Sequence, residues 1–205
     1  MRGKGTLVGV AALAVGALAL NAQAGFLLDY GSDGESDGWA VSGANQPFGG
    51  FSQFQSFTVT DPEGWIVEFI GIDGYVNFDP NNMGLGGTLL PDDNGSPDEG
   101  NPIATATYFL SSDPFGGEAW VDEAFNVILE PGTYWFRAEA RDADYNGTWR
   151  SATMGAGNAF SRRNSDGAEF PQETLALRIQ GSVVPAPGAA ALLLIGAGFA
   201  RRRRR

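Results

Sequence analysis

The sequence predicts an all-β domain, an antiparallel β-sandwich or jelly roll, between two apolar ends. Short runs that alternate apolar and polar residues recur along the chain, and this is the period of half-buried strands. Clusters of Gly, Pro, Asn and Asp separate these runs, and the chain contains 30 glycines and 11 prolines. Away from the two ends, no stretch of ten residues has a clean helical period. Many short strands with frequent turns are typical of packed antiparallel sheets.

The predicted strands follow one another with room only for turns between them. Glu130-Pro131-Gly132 joins two of them as a turn, because Pro131 presets its own φ and Gly132 supplies a positive one. In chain order the predicted strands are residues 26–30, 54–60, 65–72 with a continuation at 74–78, 103–111, 124–129, 133–140, 149–153 and 174–180. The stretch 91–102 is acidic and rich in Gly and Pro, and we predict that it is an extended loop.

One face of these strands is expected to form the core of the domain. Alternation along each strand selects the side chains that point inward. They are Phe57, Val59, Ile66, Phe69, Ile72, Tyr108, Leu110, Val127, Leu129, Tyr134, Phe136, Leu175, Leu177 and Ile179.

The N-terminal end has the pattern of a secretory signal peptide. A basic start precedes an apolar run at 7–20, and Ala22-Gln23-Ala24 is the small-x-small pattern that signal peptidase cleaves. Cleavage is expected after Ala24, which leaves Gly25 as the first residue; the alternative is an uncleaved membrane anchor. The chain has no cysteine, so the exported domain is held together without disulfides.

The C-terminal end has three parts in a fixed order: a proline-bounded motif, an apolar run at 189–200 and a basic cluster. The motif is Val184, Pro185, Ala186 and Pro187, and the cluster is Arg201, Arg202, Arg203, Arg204 and Arg205. The apolar run is shorter than the roughly 20 residues of a comfortable membrane-spanning helix. Arginines at its cytoplasmic end would nevertheless stop its transfer across the membrane. A buried C-terminal helix is the alternative, but five adjacent positive charges would repel one another there.

This tail resembles the sorting signal of the PEP-CTERM proteins, the substrates of bacterial exosortases. The family's usual motif is Pro-Glu-Pro, and Ala186 stands in place of the glutamate. The resemblance implies a membrane-tethered precursor that an exosortase cuts near the motif, followed by attachment at the cell surface or secretion. The body is similar, over residues 55–59, 129–135 and 175–181, to the exported domains that often precede such tails, which are interpreted as surface β-sandwiches.

The chain is therefore expected to divide into a signal peptide (1–24), an exported β-sandwich (25–182) and a sorting signal (183–205). The expected partners are signal peptidase, an exosortase, the inner membrane during sorting and an extracellular polysaccharide. The exported part has six arginines against 24 acids, so its net charge is −18, compared with −11 for the whole chain. Such a surface repels nucleic acid and anionic lipid head groups.

Two acidic loops have the spacing with which a calcium loop begins. Oxygen-bearing side chains occupy positions 1, 3 and 5, and glycine occupies position 6. Position 12, where a bidentate acid is expected, is Thr153 in one loop and Ala44 in the other. Calcium is thus the cofactor that the sequence suggests, and the alternative is a solvated turn in which Asp and Asn cap their own backbone. The candidate ligands are Asp142, Asp144 and Asn146 in one loop, and Asp33, Glu35 and Asp37 in the other.

The chain has no histidine and no cysteine, which excludes the commonest general base, the usual nucleophilic dyads and ordinary zinc or copper sites. The sequence thus gives no sign of an enzyme, and the resemblance to PEP-CTERM proteins implies a non-enzymatic exported protein of the cell surface or extracellular matrix, sorted by an exosortase-type system. One alternative is a carbohydrate-binding module, with or without calcium, which needs at least two coplanar exposed aromatic rings. A carboxylate glycosidase is the other, and it needs two acids about 5–10 Å apart in a cleft.

Overall fold

The computed structural model describes residues 25–34, 38–113, 117–153, 155 and 157–186. Within these residues the chain is all-β, with one turn of 3-10 helix at Pro47–Gly49 and no α-helix. The strands are β1 (Gly25–Asp29), β2 (Gly38–Ser42), β3 (Phe51–Val59), β4 (Trp65–Phe78), β5 (Leu85–Asp93), β6 (Ser96–Pro97), β7 (Ala104–Tyr108), β8 (Trp120–Leu129), β9 (Gly132–Ala140), β10 (Asn146–Arg150), β11 (Ala159–Arg163), β12 (Glu169–Gln172) and β13 (Leu177–Val183). Neighbouring strands pair antiparallel, which confirms the predicted all-β, antiparallel class.

The long strand β4 changes partners along its length. Residues 65–73 pair with β8, and most of them also pair with β13, which carries β1 on its other side. Residues 74–78 pair instead with β10, which leads on to β2. The strand β2 reaches β3 through the single pair Ser42–Phe51. From β3 the sheet continues through β9 to β5, whose other partners are β6 and β7, and β11 and β12 branch from the second edge of β3.

One hydrophobic core receives side chains from both parts of this sheet. The ring of Phe57 on β3 stacks on Trp65 of β4 with centroids 6.4 Å apart. The ring of Phe136 on β9 meets Phe125 of β8 edge-on at 6.0 Å. Tyr108 is fully buried, and its hydroxyl donates a hydrogen bond to the carbonyl oxygen of Ile70 at 2.8 Å.

A buried ion pair lies where β4 changes partners. Arg150, the last residue of β10, donates from its guanidinium to the carboxylate of Asp73 at 3.1 Å, and both side chains are 0% exposed. The same guanidinium donates to the carbonyl oxygen of Gly117. The backbone N–H of Ala119 donates to Asp73 at 2.9 Å. These contacts tie β4, β10 and the approach to β8 together.

Most side chains that were predicted to form the core are buried, but the prediction for Phe69 is wrong. Phe69 is 38% exposed, whereas Val67, two residues before it, and Ile70, the next residue, are fully buried. The pairing register of β4 shifts between Val67 and Phe69 against β8. This bulge interrupts the inward–outward alternation and turns Phe69 outward. Phe57, Val59, Ile72, Tyr108, Leu129, Phe136, Leu175, Leu177 and Ile179 are buried as predicted, and Ile66, Leu110, Val127 and Tyr134 are partly buried.

The sequence did not predict β2, β5, β6, β11 and β12. In β5 the glycines Gly86 and Gly87 weaken the strand pattern, since glycine disfavours strand interiors. A Cβ atom on Gly87 would collide with the rings of Tyr108 and Phe136, so close packing requires glycine here. The stretch 91–102 is likewise not a plain extended loop, because β5 turns back at once into β6.

The β5–β6 hairpin lies against a second, smaller apolar cluster formed by Phe54, Leu90 and Trp135. The indole N–H of Trp135 donates to Asp92 at 2.7 Å. Beyond the hairpin, Glu99 bridges two arginines, Arg137 at 2.7 Å and Arg162. Two acidic residues of this stretch, Asp92 and Glu99, therefore have partners far along the chain.

The two predicted terminal helices fall within residues 1–24 and 187–205. Both ranges lie outside the described residues. In the part of the chain that the structure does describe, no helix has the length and apolarity needed to cross a membrane.

Removing one partner of the buried pair should destabilise the domain strongly. Asp73→Ala leaves the buried guanidinium of Arg150 without its counter-ion, and we expect a loss of about 3–5 kcal/mol in the free energy of unfolding. The matched control is Asp122→Ala, because Asp122 pairs with the partly exposed Arg178. That variant should lose about 1 kcal/mol or less. Urea unfolding of the full chain, followed by tryptophan fluorescence, measures both losses, and equal losses would contradict a special role for Asp73.

Candidate functional site

The predicted calcium ligands of the 142–146 loop are each engaged in hydrogen bonds. The carboxylate of Asp142 accepts from the side chain of Asn81 and from the backbone N–H of Asp144 at 2.7 Å. These two bonds, from Asn81 first and Asp144 second, lower the pKa of Asp142, so its carboxylate is charged at neutral pH. Asp144 accepts from the side chain of Asn45 at 2.8 Å. Asn146 lies at the start of β10, and its amide nitrogen is 3.4 Å from the side-chain oxygen of Gln46.

The second predicted calcium loop is only partly described. Asp33 is half-buried, and its backbone N–H donates to the carbonyl oxygen of Ser151 at 3.4 Å. Glu35 and Asp37 lie outside the described residues. Among the residues that are described, no group of three Asp, Glu, His or Cys side chains converges as a metal site. Calcium binding therefore stays a prediction.

The residues at the two expected processing sites lie at the ends of the described chain. Gly25 is the first residue of β1, and Ala22 and Ala24 fall outside the described residues. At the other end, β13 stops at Val183, and the backbone N–H of Val184 donates to the carbonyl oxygen of Gly64 at 3.0 Å. Pro185 and Ala186 follow, exposed and without regular structure. Pro187 and the arginine cluster 201–205 lie beyond the described residues.

The five tryptophans differ in their exposure. Trp65, Trp135 and Trp149 are buried, with at most 3% of the residue exposed. Trp120 is half-buried beneath the guanidinium of Arg178, which lies 4.5 Å from the ring centroid. Trp39 is the most exposed of the five, at 37%, and it lines an open groove.

That groove, which we call the Trp39 groove, is lined by residues of β2, β3, β11 and β12. Its volume is ≈ 490 Å³, within the range of small-molecule sites, about 300–1,000 Å³. Its aromatic walls are Trp39 on β2, Phe51 on β3 and Phe170 on β12, and Pro171 extends the last wall. The rings of Phe51 and Phe170 lie 6.4 Å apart with their planes 68° apart. These two rings form an angled wall, not the coplanar platform of the predicted carbohydrate-binding module.

Uncharged polar groups complete the lining of the Trp39 groove. Gln53 is fully buried, and its amide nitrogen donates to the carbonyl oxygen of Ala40 at 2.6 Å and to the hydroxyl of Ser161. Ala40 and Ser161 both line the groove, so Gln53 fixes the two strands on either side of it. Gln172 also lines the groove, and its side-chain oxygen is buried without a hydrogen-bond donor among the described residues.

A second groove, of ≈ 550 Å³, lies on the other side of Gln172 and is lined by Ser96, Trp135, Asn158 and Glu169 among others. Glu169 is the carboxylate in its lining, and the Trp39 groove has none. Glu169 is itself bonded to Arg162 at 2.7 Å. Burial lowers the pKa of Arg162, but hydrogen bonds with Glu169 and Glu99 outweigh burial and raise it. Neither groove brings together the two acids that a glycosidase needs.

The sequence did not single out the residues of the Trp39 groove. Trp39 lies on β2, and Phe170 and Gln172 lie on β12, and neither strand was predicted. The wall residues come from two stretches, 39–51 and 161–172, which are far apart in the chain, so no local spacing connects one stretch with the other. Comparison with known proteins finds no family model and no curated protein that matches this chain.

Calcium binding to the 142–146 loop has a direct test in thermal melts of the full chain. A ligand that binds only the folded state at a hundredfold excess over its dissociation constant adds about 2.7 kcal/mol. For a domain of this size, that corresponds to a rise in Tm of roughly 5–10 °C. Millimolar calcium should raise Tm more than magnesium or sodium at matched ionic strength, and Asp142→Asn should remove the difference. Equal effects of the three cations would mean that only charge screening is at work.

Proposed function

We propose that this chain is a non-enzymatic exported protein of the bacterial cell surface or extracellular matrix, sorted by an exosortase-type enzyme. The observation that carries the proposal is the position of the three-part tail relative to the folded domain. The last strand ends at Val183, and the motif Val184-Pro185-Ala186-Pro187 begins at the next residue. Pro185 and Ala186 are exposed and outside any strand, which supports their access to a processing enzyme.

The folded part of this exported protein is, in our proposal, a β-sandwich. Strands β1, β13 and β8, with the first part of β4, form one layer, and the layer built on β3, β9 and β5 lies opposite. Support comes from the shared core, in which Phe57 meets Trp65 and Phe125 meets Phe136 across the two groups. A sandwich with one core suits a domain that has no disulfide to stabilise it outside the cell.

Export begins, in this proposal, with signal peptidase cleavage between Ala24 and Gly25. Strand β1 starts at Gly25 and pairs with β13 from that residue onward, Gly25 opposite Gly181. Cleavage at this bond would therefore leave β1 whole.

Membrane insertion and processing then follow from the chemistry of the tail. The apolar run at 189–200 favours insertion, and the block of five arginines is costly to translocate, so the chain pauses with Arg205 in the cytoplasm. Prolines at 185 and 187 bar helix there and also hold Val184 and Ala186 extended. An extended segment just outside the bilayer is a suitable substrate for a membrane-embedded protease.

Tail variants in the native host test this proposal. Replacing Arg201 to Arg205 with serine should release the unprocessed chain from the membrane, and Pro185→Ala with Pro187→Ala should keep the full-length form in it. Fractionation followed by immunoblotting separates the precursor from the mature protein. The matched control is Ala186→Glu, which restores the family's Pro-Glu-Pro and should be processed at least as completely as the unaltered chain. Normal processing of both the arginine and the proline variants would overturn the proposal.

A further inference from the structure

We propose that the Trp39 groove is a binding site for the uncharged end of a sugar chain, a neutral saccharide. The site itself is argued from the folded domain alone. Its accessibility at the cell surface rests on the proposed function.

The walls of the groove suit the apolar face of a sugar ring. Trp39 is 37% exposed and Phe170 is 38% exposed, and both face solvent across the opening of the groove. Exposed aromatic rings of this kind bind the C–H faces of other rings through dispersion and apolar burial. Because the rings of Phe51 and Phe170 are 68° apart, the walls enclose one ring instead of supporting a long flat chain. This geometry favours a chain end over the middle of a polymer.

The polar groups of the groove suit hydroxyls. The hydroxyl of Ser161 accepts the hydrogen bond from Gln53, which leaves its own proton available to donate to a ligand oxygen. No donor in the described part of the chain reaches the amide oxygen of Gln172, and its amide nitrogen can donate. The last side-chain torsion of glutamine is broad, so this amide can turn toward a ligand at little cost. Donors and acceptors together at one end of an aromatic groove match a ring that carries several hydroxyls.

The charge of the groove selects a neutral ligand. None of the side chains that line it is charged, although the chain as a whole has a net charge of −11. Arg163 lies next to the groove with its guanidinium 5.3 Å from the ring centroid of Phe170, but it is paired with Asp166 at 3.4 Å. An anionic sugar would therefore meet a negative surface without a free cation in the wall. A neutral sugar avoids this repulsion.

The groove lies far from the point where the tail leaves the domain. Phe57 contacts Trp65, and Trp65 pairs with Val183, so the tail leaves near that end of β3. Phe51 of the groove is six residues away along β3, about 20 Å at the rise of a strand. A domain tethered through its C-terminus would present the groove away from the membrane, where extracellular polysaccharide lies.

Titration calorimetry on the full-length protein tests the proposal, in a detergent without a sugar head group. The neutral probes are tetrasaccharides of glucose, mannose and galactose, and the anionic probe is tetragalacturonate. At least one neutral probe should bind and change the fluorescence of Trp39, and tetragalacturonate should bind at least tenfold more weakly.

Three variants connect the binding to the groove. Phe170→Ala removes an exposed wall, and Gln172→Met keeps the shape of the side chain without its amide; each should weaken binding about tenfold or more. Phe78→Ala is the matched control, since Phe78 is an exposed ring outside the groove, and its affinity should be unchanged. Urea midpoints confirm that the variants are folded. Replacing Arg201 to Arg205 with serine should leave binding unchanged, which separates a failure of this site from a failure of the sorting proposal.

Several results would overturn the inference. One is that no neutral probe binds the folded protein. Another is affinity that is unaffected by Phe170→Ala and Gln172→Met. A third is preference for tetragalacturonate, and a fourth is binding of an apolar dye where every sugar fails, which would make the groove a hydrophobic docking surface.

Discussion

The arrangement of strands depends on the buried contact between Arg150 and Asp73. Two charges without access to water are costly, and such a pair persists only where further hydrogen bonds accompany it. Gly117 and Ala119 supply these bonds through their backbone, and the ring of Tyr75 lies 5.5 Å from the guanidinium. The pair sits where β4 leaves β8 and joins β10, so it fixes the residue at which one strand passes between two groups of neighbours. Because β4 belongs to both groups of strands, side chains from both groups pack into one core.

The surface on which binding is proposed is built from the same network of strands. The strand β2 pairs with β10 over its whole length but with β3 at one ladder pair only. Residues of β2, β3, β11 and β12 line the Trp39 groove, and buried Gln53 holds two of them in place through hydrogen bonds to Ala40 and Ser161. These hydrogen bonds form within the folded domain, so the groove exists before a ligand binds. Such preorganisation reduces the entropy that binding must overcome.

Local patterns in the sequence predicted the features that depend on residues close together in the chain, such as single strands and their buried faces. Alternation identified β3 and β9 and most of the core. The spacing around Asp142 predicted calcium binding, which stays a prediction, and it did not reveal that Asp142 accepts a hydrogen bond from Asn81, which is distant in the chain. The bulge that turns Phe69 outward arises from pairing with other strands, which a single sequence does not contain. Strand β5 was missed because Gly87 serves packing against two rings while weakening the strand pattern. The groove was missed for a related reason, since its walls meet only in the folded chain.

The central claim is that the folded domain is the exported product of two cuts, one at each apolar end. Intact mass and terminal sequencing of the protein recovered from its native host test it most directly. We expect a chain that begins at or within a few residues of Gly25 and that lacks both the apolar run at 189–200 and the arginines after it. A mature protein that still begins at Met1 and ends at Arg205 would contradict processing at both ends.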